Sequence, residues 1–185
     1  MKPREPKYLS PRNDTSFHKI FAHQDRRLVL IAFLNGVLDL QGEKRIKEVQ
    51  ICDSRLSPLK GGKKKGCIDL ICTDQREETF LIEVQPLPFP FFHKRILWYT
   101  NHLYVNQLEE GKSYSTLQAV HFLGILDHTL FPGEEPFSRH LLLDEKNHTH
   151  LSHRCQLSLS RTSQAPSQRR NNPFRAKQMG LFSPT

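Results

Sequence analysis

Two apolar runs separated by five residues constrain this chain more than any other part of its 185 residues. CIDLICT (67–73) and TFLIEVQ (79–85) are rich in Ile, Leu, Val, Phe and Thr, and the DQREE between them supplies a turn over Asp74 to Glu78, so the pair reads as a β-hairpin. Residues two apart in a strand share a face. Glu83 and Gln85 therefore point the same way as Leu81, and Asp69 the same way as Ile71. Pairing Thr73 with Thr79 puts Asp69 directly across from Glu83, while a slip of one residue would separate them.

Two like charges directly opposite each other are destabilising, and burial makes this worse unless a proton or a cation intervenes. A divalent ion removes the conflict. Mg²⁺ takes hard oxygen ligands, keeps several waters and often uses only one or two carboxylates together with substrate phosphate. Asp69 and Glu83 are thus candidate metal ligands, with Gln85 positioned to orient water or a phosphate group. Periodicity alone is also satisfied by a solvated hairpin face. Against that, Ile71 and Leu81 share the acidic side, and an aromatic and basic helix comes next.

That helix is marked by a change of period after PLPFP (86–90), which ends the second strand. Phe92, Ile96, Tyr99 and Leu103 line one face. Arg95 and His102, seven residues apart, lie on one side with Tyr99 between them, and the planar fork of Arg95 suits a phosphate. The SRLSPLKGGKKKG connection (54–66) has five basic residues and no acidic one, so Lys60, Lys63, Lys64 and Lys65 are candidate nucleic-acid backbone contacts.

Upstream, Phe17, Ile20, Phe21, Leu28, Ile31, Leu34 and Val37 follow a helical period broken around His23 to Arg27, after a Ser10-Pro11 start signal and before Gly42. RIKEVQI (45–51) and AVHFLGIL (119–126) read as strands, and SRHLLLD (138–144) as an edge strand. The order implies an α/β domain. Residues 146–185 carry seven Lys or Arg and no acidic residue, a charge of +7, which leaves only +1 on residues 1–145. With Ser, Gln, Arg and Pro abundant past residue 150, too little burial is on offer to offset ordering entropy, so disorder is expected there. The expected division is an N-terminal extension (1–8), one domain (9–150) and a basic tail (151–185). Four cysteines without paired spacing imply a reducing, cytoplasmic setting. No 18-residue apolar window is present to enter a membrane.

LSPRNDTSFHKIF (9–21), IAFLNGVLDLQGEKRIKEVQI (31–51), IDLICTDQREETFLIEVQ (68–85) and HKRILWYTNHLYVNQLEEGKSY (93–114), in that order, resemble the PD-(D/E)XK nuclease family transposases, the Rpn-type recombination-promoting nucleases. The resemblance runs from about residue 9 to about residue 145. It implies a restriction-endonuclease-like mixed central sheet flanked by helices, and metal-dependent cleavage of DNA with Mg²⁺, or Mn²⁺ in its place. It also implies that Asp69 and Glu83 bind metal, that Gln85 stands where the wider superfamily has lysine, that Asp14 has an auxiliary role, and that Arg95, Tyr99 and Tyr104 belong to the block after the Glu-x-Gln strand.

PLPFPFF departs from the family by its prolines. So does the C-terminus, where the family continues into another strand and further helices and this text turns to SRTSQAPSQRRNNPF; the expectation is a truncated domain with an exposed sheet edge open to self-association into a homo-oligomer. The leading reading is a Mg²⁺-dependent DNA endonuclease. The rivals are an inactive nucleic-acid-binding remnant of the same fold and a metal-free protein-interaction domain.

Overall fold

A computed structural model describes residues 14–56, 66–131 and 135–161. Within them, α1 (Asp14–Phe21) and α2 (Arg27–Leu38) are followed by β1 (Val49–Cys52), β2 (Arg55–Leu56), β3 (Gly66–Cys67), β4 (Leu70–Asp74) and β5 (Thr79–Gln85). Then come α3 (Phe92–Val105), β6 (Val120–Leu126), β7 (Phe137–Leu143) and β8 (His150–Arg161). Six strands form one mixed sheet in the order β1-β4-β5-β6-β8-β7, while β2 and β3 make a separate two-stranded ribbon. The β1-β4, β4-β5 and β7-β8 pairs are antiparallel; β5-β6 and β6-β8 are parallel.

Strand alternation sorts side chains into two cores. Leu70, Cys72, Phe80, Ile82 and Val84 pack with Phe17, Leu30 and Leu34 of α1 and α2. On the opposite face Ile71, Leu81, Phe122 and Leu159 pack with Phe92, Ile96 and Tyr99 of α3. Both faces are therefore covered by helices, as an α/β domain with parallel central strands requires. The β5-α3-β6 unit is a parallel crossover, and it lays α3 antiparallel to β5 so that the start of the helix stands over the end of the strand.

The helical break expected around His23 to Arg27 is a single tight turn at Gln24–Arg26. The Arg26 guanidinium donates back to the Lys19 carbonyl at 2.6 Å and holds the corner. After α2 the chain reverses through Asp39, which sits in the left-handed region at φ 51°. A buried asparagine then fixes the path of the chain toward the sheet. Asn35 Nδ2 donates to the Ile46 carbonyl at 2.8 Å and Asn35 Oδ1 accepts from the Ile46 N–H at 2.9 Å. Ile46 is only 1% exposed, so these two bonds satisfy backbone groups that water cannot reach, and they aim the chain into β1.

Two sequence expectations are corrected. The first strand of the hairpin is not continuous over 67–73: the chain breaks at Ile68 and Asp69, Gly66–Cys67 pairs instead with β2, and β4 starts at Leu70. The break moves Ile68 to the α3 core although unbroken alternation would place it with Leu70 on the other side. The domain also runs beyond residue 150. β8 lies between β6 and β7, with Val120 to Leu126 paired to Cys155 to Arg161, so a further strand does come after the HLLLD segment. SRHLLLD does form the sheet edge, as β7. Residues 1–13, with Ser10 and Pro11, and 162–185 lie outside the described residues. Among the described residues no helix is long and apolar enough to cross a membrane.

Replacing Asn35 with Leu removes both partners of the Ile46 backbone. Urea unfolding should show a loss of about 2–4 kcal/mol with an unchanged denaturant slope, since the cost is two buried unsatisfied groups rather than a changed core surface.

Candidate active site

β4 and β5 pair with Thr73 opposite Thr79 and Leu70 opposite Ile82, the register that the hairpin argument requires. Asp69 stands one residue beyond the last pair. Its carboxylate Oδ2 accepts from the Val84 N–H at 2.6 Å, so a side chain replaces a strand partner at the point where the ladder ends. Val84 lies between Glu83 and Gln85. The break in the first strand and the location of Asp69 thus have one cause: the carboxylate reaches to the backbone of β5.

Glu83 is 6% exposed, on the α3 face of a strand with neighbours on both sides. Arg95, one turn into α3, forms a short ion pair through Nη2 to Glu83 Oε1, and the same nitrogen donates to Gln85 Oε1 at 3.0 Å. Three rings surround the guanidinium, with centroids 4.7 Å (Phe89), 4.9 Å (Phe92) and 5.8 Å (Tyr99) from its central carbon. Its Nε is buried without a hydrogen-bond partner among the described residues, leaving ring faces to stabilise that part of the cation. Gln85 is held at its other end too, where Nε2 donates to the Leu87 carbonyl at 2.8 Å. The sequence suggests Arg95 as a phosphate contact; in the fold it ties two of the candidate residues together.

Tyr99 donates its hydroxyl to the Cys67 carbonyl at 3.2 Å, fastening the β2-β3 ribbon to α3. Gly66 permits this approach, because a Cβ there would lie 2.8 Å from the Tyr99 ring and 3.0 Å from the Trp98 ring. Burial raises the Tyr99 pKa above its usual value of 10, and the negative charges of Glu83 and Asp69 raise it further while Arg95 opposes them.

Asp69, Glu83, Gln85, Arg95 and Tyr99 are therefore brought together at one end of β5. Asp14 opens α1, on the other side of the sheet from α3. Lys60, Lys63, Lys64 and Lys65 lie outside the described residues. His102 is 2% exposed and neither ring nitrogen has a hydrogen-bond partner among the described residues. It lines a separate hollow of about 260 Å³ with Asp53, Arg55, Thr73, Thr79 and Asn106, about 10 Å further along the helix from Arg95.

Sequence reasoning missed a second buried carboxylate. Asp74 receives the Arg76 side chain at 2.6 Å and the N–H groups of Arg76 and Glu78 at 2.9 and 3.1 Å. It closes the β4-β5 turn, at the far end of β5 from Glu83. The D-x-R-x-E spacing was the available signal.

The donors gathered around Val84 are all oxygens: two carboxylates and one carboxamide. That set fits a hard divalent cation and gives a softer ion neither imidazole nor thiolate. No group of three or more His, Cys, Asp or Glu able to hold a metal occurs among the described residues, so a cation at this site would take its remaining ligands from water and substrate.

A mixed α/β sheet with helices on both faces and an acidic pair at the end of adjoining strands is the restriction-endonuclease-like arrangement. The family model for PD-(D/E)XK nuclease family transposases matches residues 11–161, and the chain belongs to that family. No curated protein and no solved structure matches it. The match includes β8, in agreement with the sheet. Nucleases of the PD-(D/E)XK group generally use divalent metals, and the family implies a nucleic-acid substrate.

Two measurements probe the site. Arg95→Leu leaves the Glu83 carboxylate buried without its cation and should lower stability by about 3–5 kcal/mol at neutral pH. Adding Glu83→Gln should recover part of that loss, a coupling that a double-mutant cycle reads directly. For Tyr99 the folded state favours the neutral phenol, so the unfolded state releases the proton first and native stability falls as pH rises through 10. Tyr99→Phe should flatten that part of the stability–pH curve relative to the parent.

Proposed function

We propose that this chain is a metal-dependent DNA endonuclease related to transposases, in which Asp69 and Glu83 hold the metal and Gln85 is the third residue of the motif. One observation carries the reading: the oxygens of Glu83 and Gln85 are drawn to a single Arg95 nitrogen while Asp69 is bonded to the backbone of the residue between them. Three oxygen-bearing side chains, two from β5 and one from the break before β4, are thereby gathered at one end of β5. Mg²⁺, or Mn²⁺ in its place, would supply a water of lowered pKa and stabilise charge on the scissile phosphate.

The side chains have distinct tasks. Asp69 and Glu83 offer anionic oxygen to the cation. Arg95 compensates the charge of Glu83 in a site poor in water, and its position beside the carboxylates suits it to a phosphate oxygen as well. Gln85 cannot serve as a strong base; its amide orients groups by hydrogen bonding and links the site to the loop at Leu87. Tyr99, kept neutral by its surroundings, holds the β2-β3 ribbon whose connecting segment carries Lys63, Lys64 and Lys65, candidate backbone contacts.

Purified protein incubated with supercoiled DNA and Mg²⁺ or Mn²⁺ should convert it to nicked or linear forms. Glu83→Ala and Asp69→Asn should reduce conversion to the level without protein, and chelation of the metal should do the same. DNA retardation by parent and variants alike, with no conversion by either, would instead identify a binding remnant of the fold.

A further inference from the structure

The connection from β5 to α3 is built differently from an ordinary loop. Residues 86–91 read PLPFPF, prolines at 86, 88 and 90 alternating with Leu87, Phe89 and Phe91. The three large apolar side chains are 71%, 49% and 68% exposed, and none joins either core. The segment is nevertheless well fixed. Gln85 bonds the Leu87 carbonyl, the Phe92 N–H bonds the Phe89 carbonyl at 3.2 Å, and the N–H groups of Lys94 and Arg95 bond the Phe91 carbonyl at 2.9 and 3.1 Å. Phe91 itself is held at φ 59°, in the left-handed region where a bulky residue is an outlier. Such an outlier persists only where its surroundings over-determine it, and functional sites are where outliers concentrate.

We propose that Phe89 and Phe91 form a stacking platform for the bases of the nucleic-acid strand held at the carboxylate site. This rests on the nuclease reading and adds how the strand is kept there. Until a cation is bound, the two carboxylates repel phosphate, so contacts to the backbone alone hold a strand poorly at this point. Contacts to bases carry no such penalty. Each exposed ring is paired with a cation, Lys94 Nζ 5.1 Å from the Phe91 centroid and the Arg95 guanidinium 4.7 Å from that of Phe89.

From Val84 to Leu108 there is no acidic residue, so an anionic strand meets Lys94 and Arg95 and no opposing charge from this segment. Aromatic faces beside cations are the elements of single-strand recognition, in which stacked bases add affinity whatever their identity. The prolines restrict the segment before the ligand arrives, lowering the ordering cost of binding. Leu87, nearest to Gln85, is placed to serve as an apolar wedge beside the stacked bases.

The test compares two fluorescent single strands with equal numbers of phosphates, one with bases and one abasic, binding to the full chain by anisotropy with Ca²⁺ as the only divalent ion. The parent should bind the base-bearing strand at least about 10-fold more tightly. Phe89→Ala/Phe91→Ala should bring that ratio close to one, the abasic strand registering any change in phosphate contact that follows from the loss of the Phe89 ring beside Arg95, and Phe89→Trp/Phe91→Trp should preserve the ratio. Unchanged circular dichroism shows that the variants fold.

A ratio that survives the alanine pair overturns the proposal. So does a parent ratio near one, even in a protein that nicks DNA, which would leave the nuclease reading standing. A parent that shows the ratio but never nicks supports the platform and defeats the nuclease. If the alanine pair instead turns a dimer into a monomer in sedimentation while the ratio is unchanged, the surface binds a second copy of this chain and the proposal fails.

Discussion

A carboxylate buried on the face of an interior strand is the constraint around which this domain is arranged. Glu83 projects from β5 between β4 and β6 and toward α3, where water has little access. Left alone, its charge would be untenable there. The helix that covers it supplies a cation within its first turns, where α3 starts over the end of β5. That cation is Arg95, and Phe89, Phe92 and Tyr99 hold its guanidinium in place. The β5-α3 connection and the aromatic packing at the start of α3 bring the two partners of that ion pair together.

A buried ion pair is a weak source of stability, since desolvation offsets much of the attraction. Asp74 shows what a structural carboxylate looks like in this fold: it closes a tight turn, takes backbone N–H groups and a guanidinium, and stands where the chain must reverse. Glu83 closes nothing. A hydrophobic residue in its place would face the apolar layer under α3 with no charge to compensate. Its presence beside Gln85 and Asp69 is better explained by chemistry than by folding, and this separates the two buried acids of one hairpin.

Much of this could be read from the residues. Two-residue alternation gave the facing sides of β5, and the Thr73–Thr79 pairing taken for the hairpin is the one in the sheet. The helical break at His23 to Arg27 was visible as a lost apolar period. What escaped depends on side chains acting against the local pattern. Asp69 interrupts a run that looks continuous because its carboxylate takes the Val84 N–H, a long-range bond with no local signature. Arg95 reads as a phosphate contact, and only the partner 12 residues upstream makes it the counter-ion of Glu83. β8 carries a strand alternation, Cys155, Leu157 and Leu159 against Gln156, Ser158 and Ser160, that the Ser-, Gln- and Arg-rich composition around it overshadows.

That last strand bears directly on the site. In register, Glu83 pairs with Gly124 of β6, and Gly124 with Leu159 of β8. A Cβ on Gly124 would stand 2.7 Å from Leu159 Cδ2 and 3.1 Å from the Phe122 ring, so the missing side chain is the room that Leu159 fills. Leu159, 5% exposed, thereby joins the apolar layer of the α3 face, the face that carries Glu83 two strands away. A drier neighbourhood strengthens the attraction between Glu83 and Arg95 and makes the loss of either partner more costly. A domain ended at residue 150 would keep every candidate active-site residue and still lack this layer, with the edge of β6 exposed from Val120 to Leu126. A segment rich in Ser, Gln and Arg thus supplies part of the apolar layer on the face that carries Glu83.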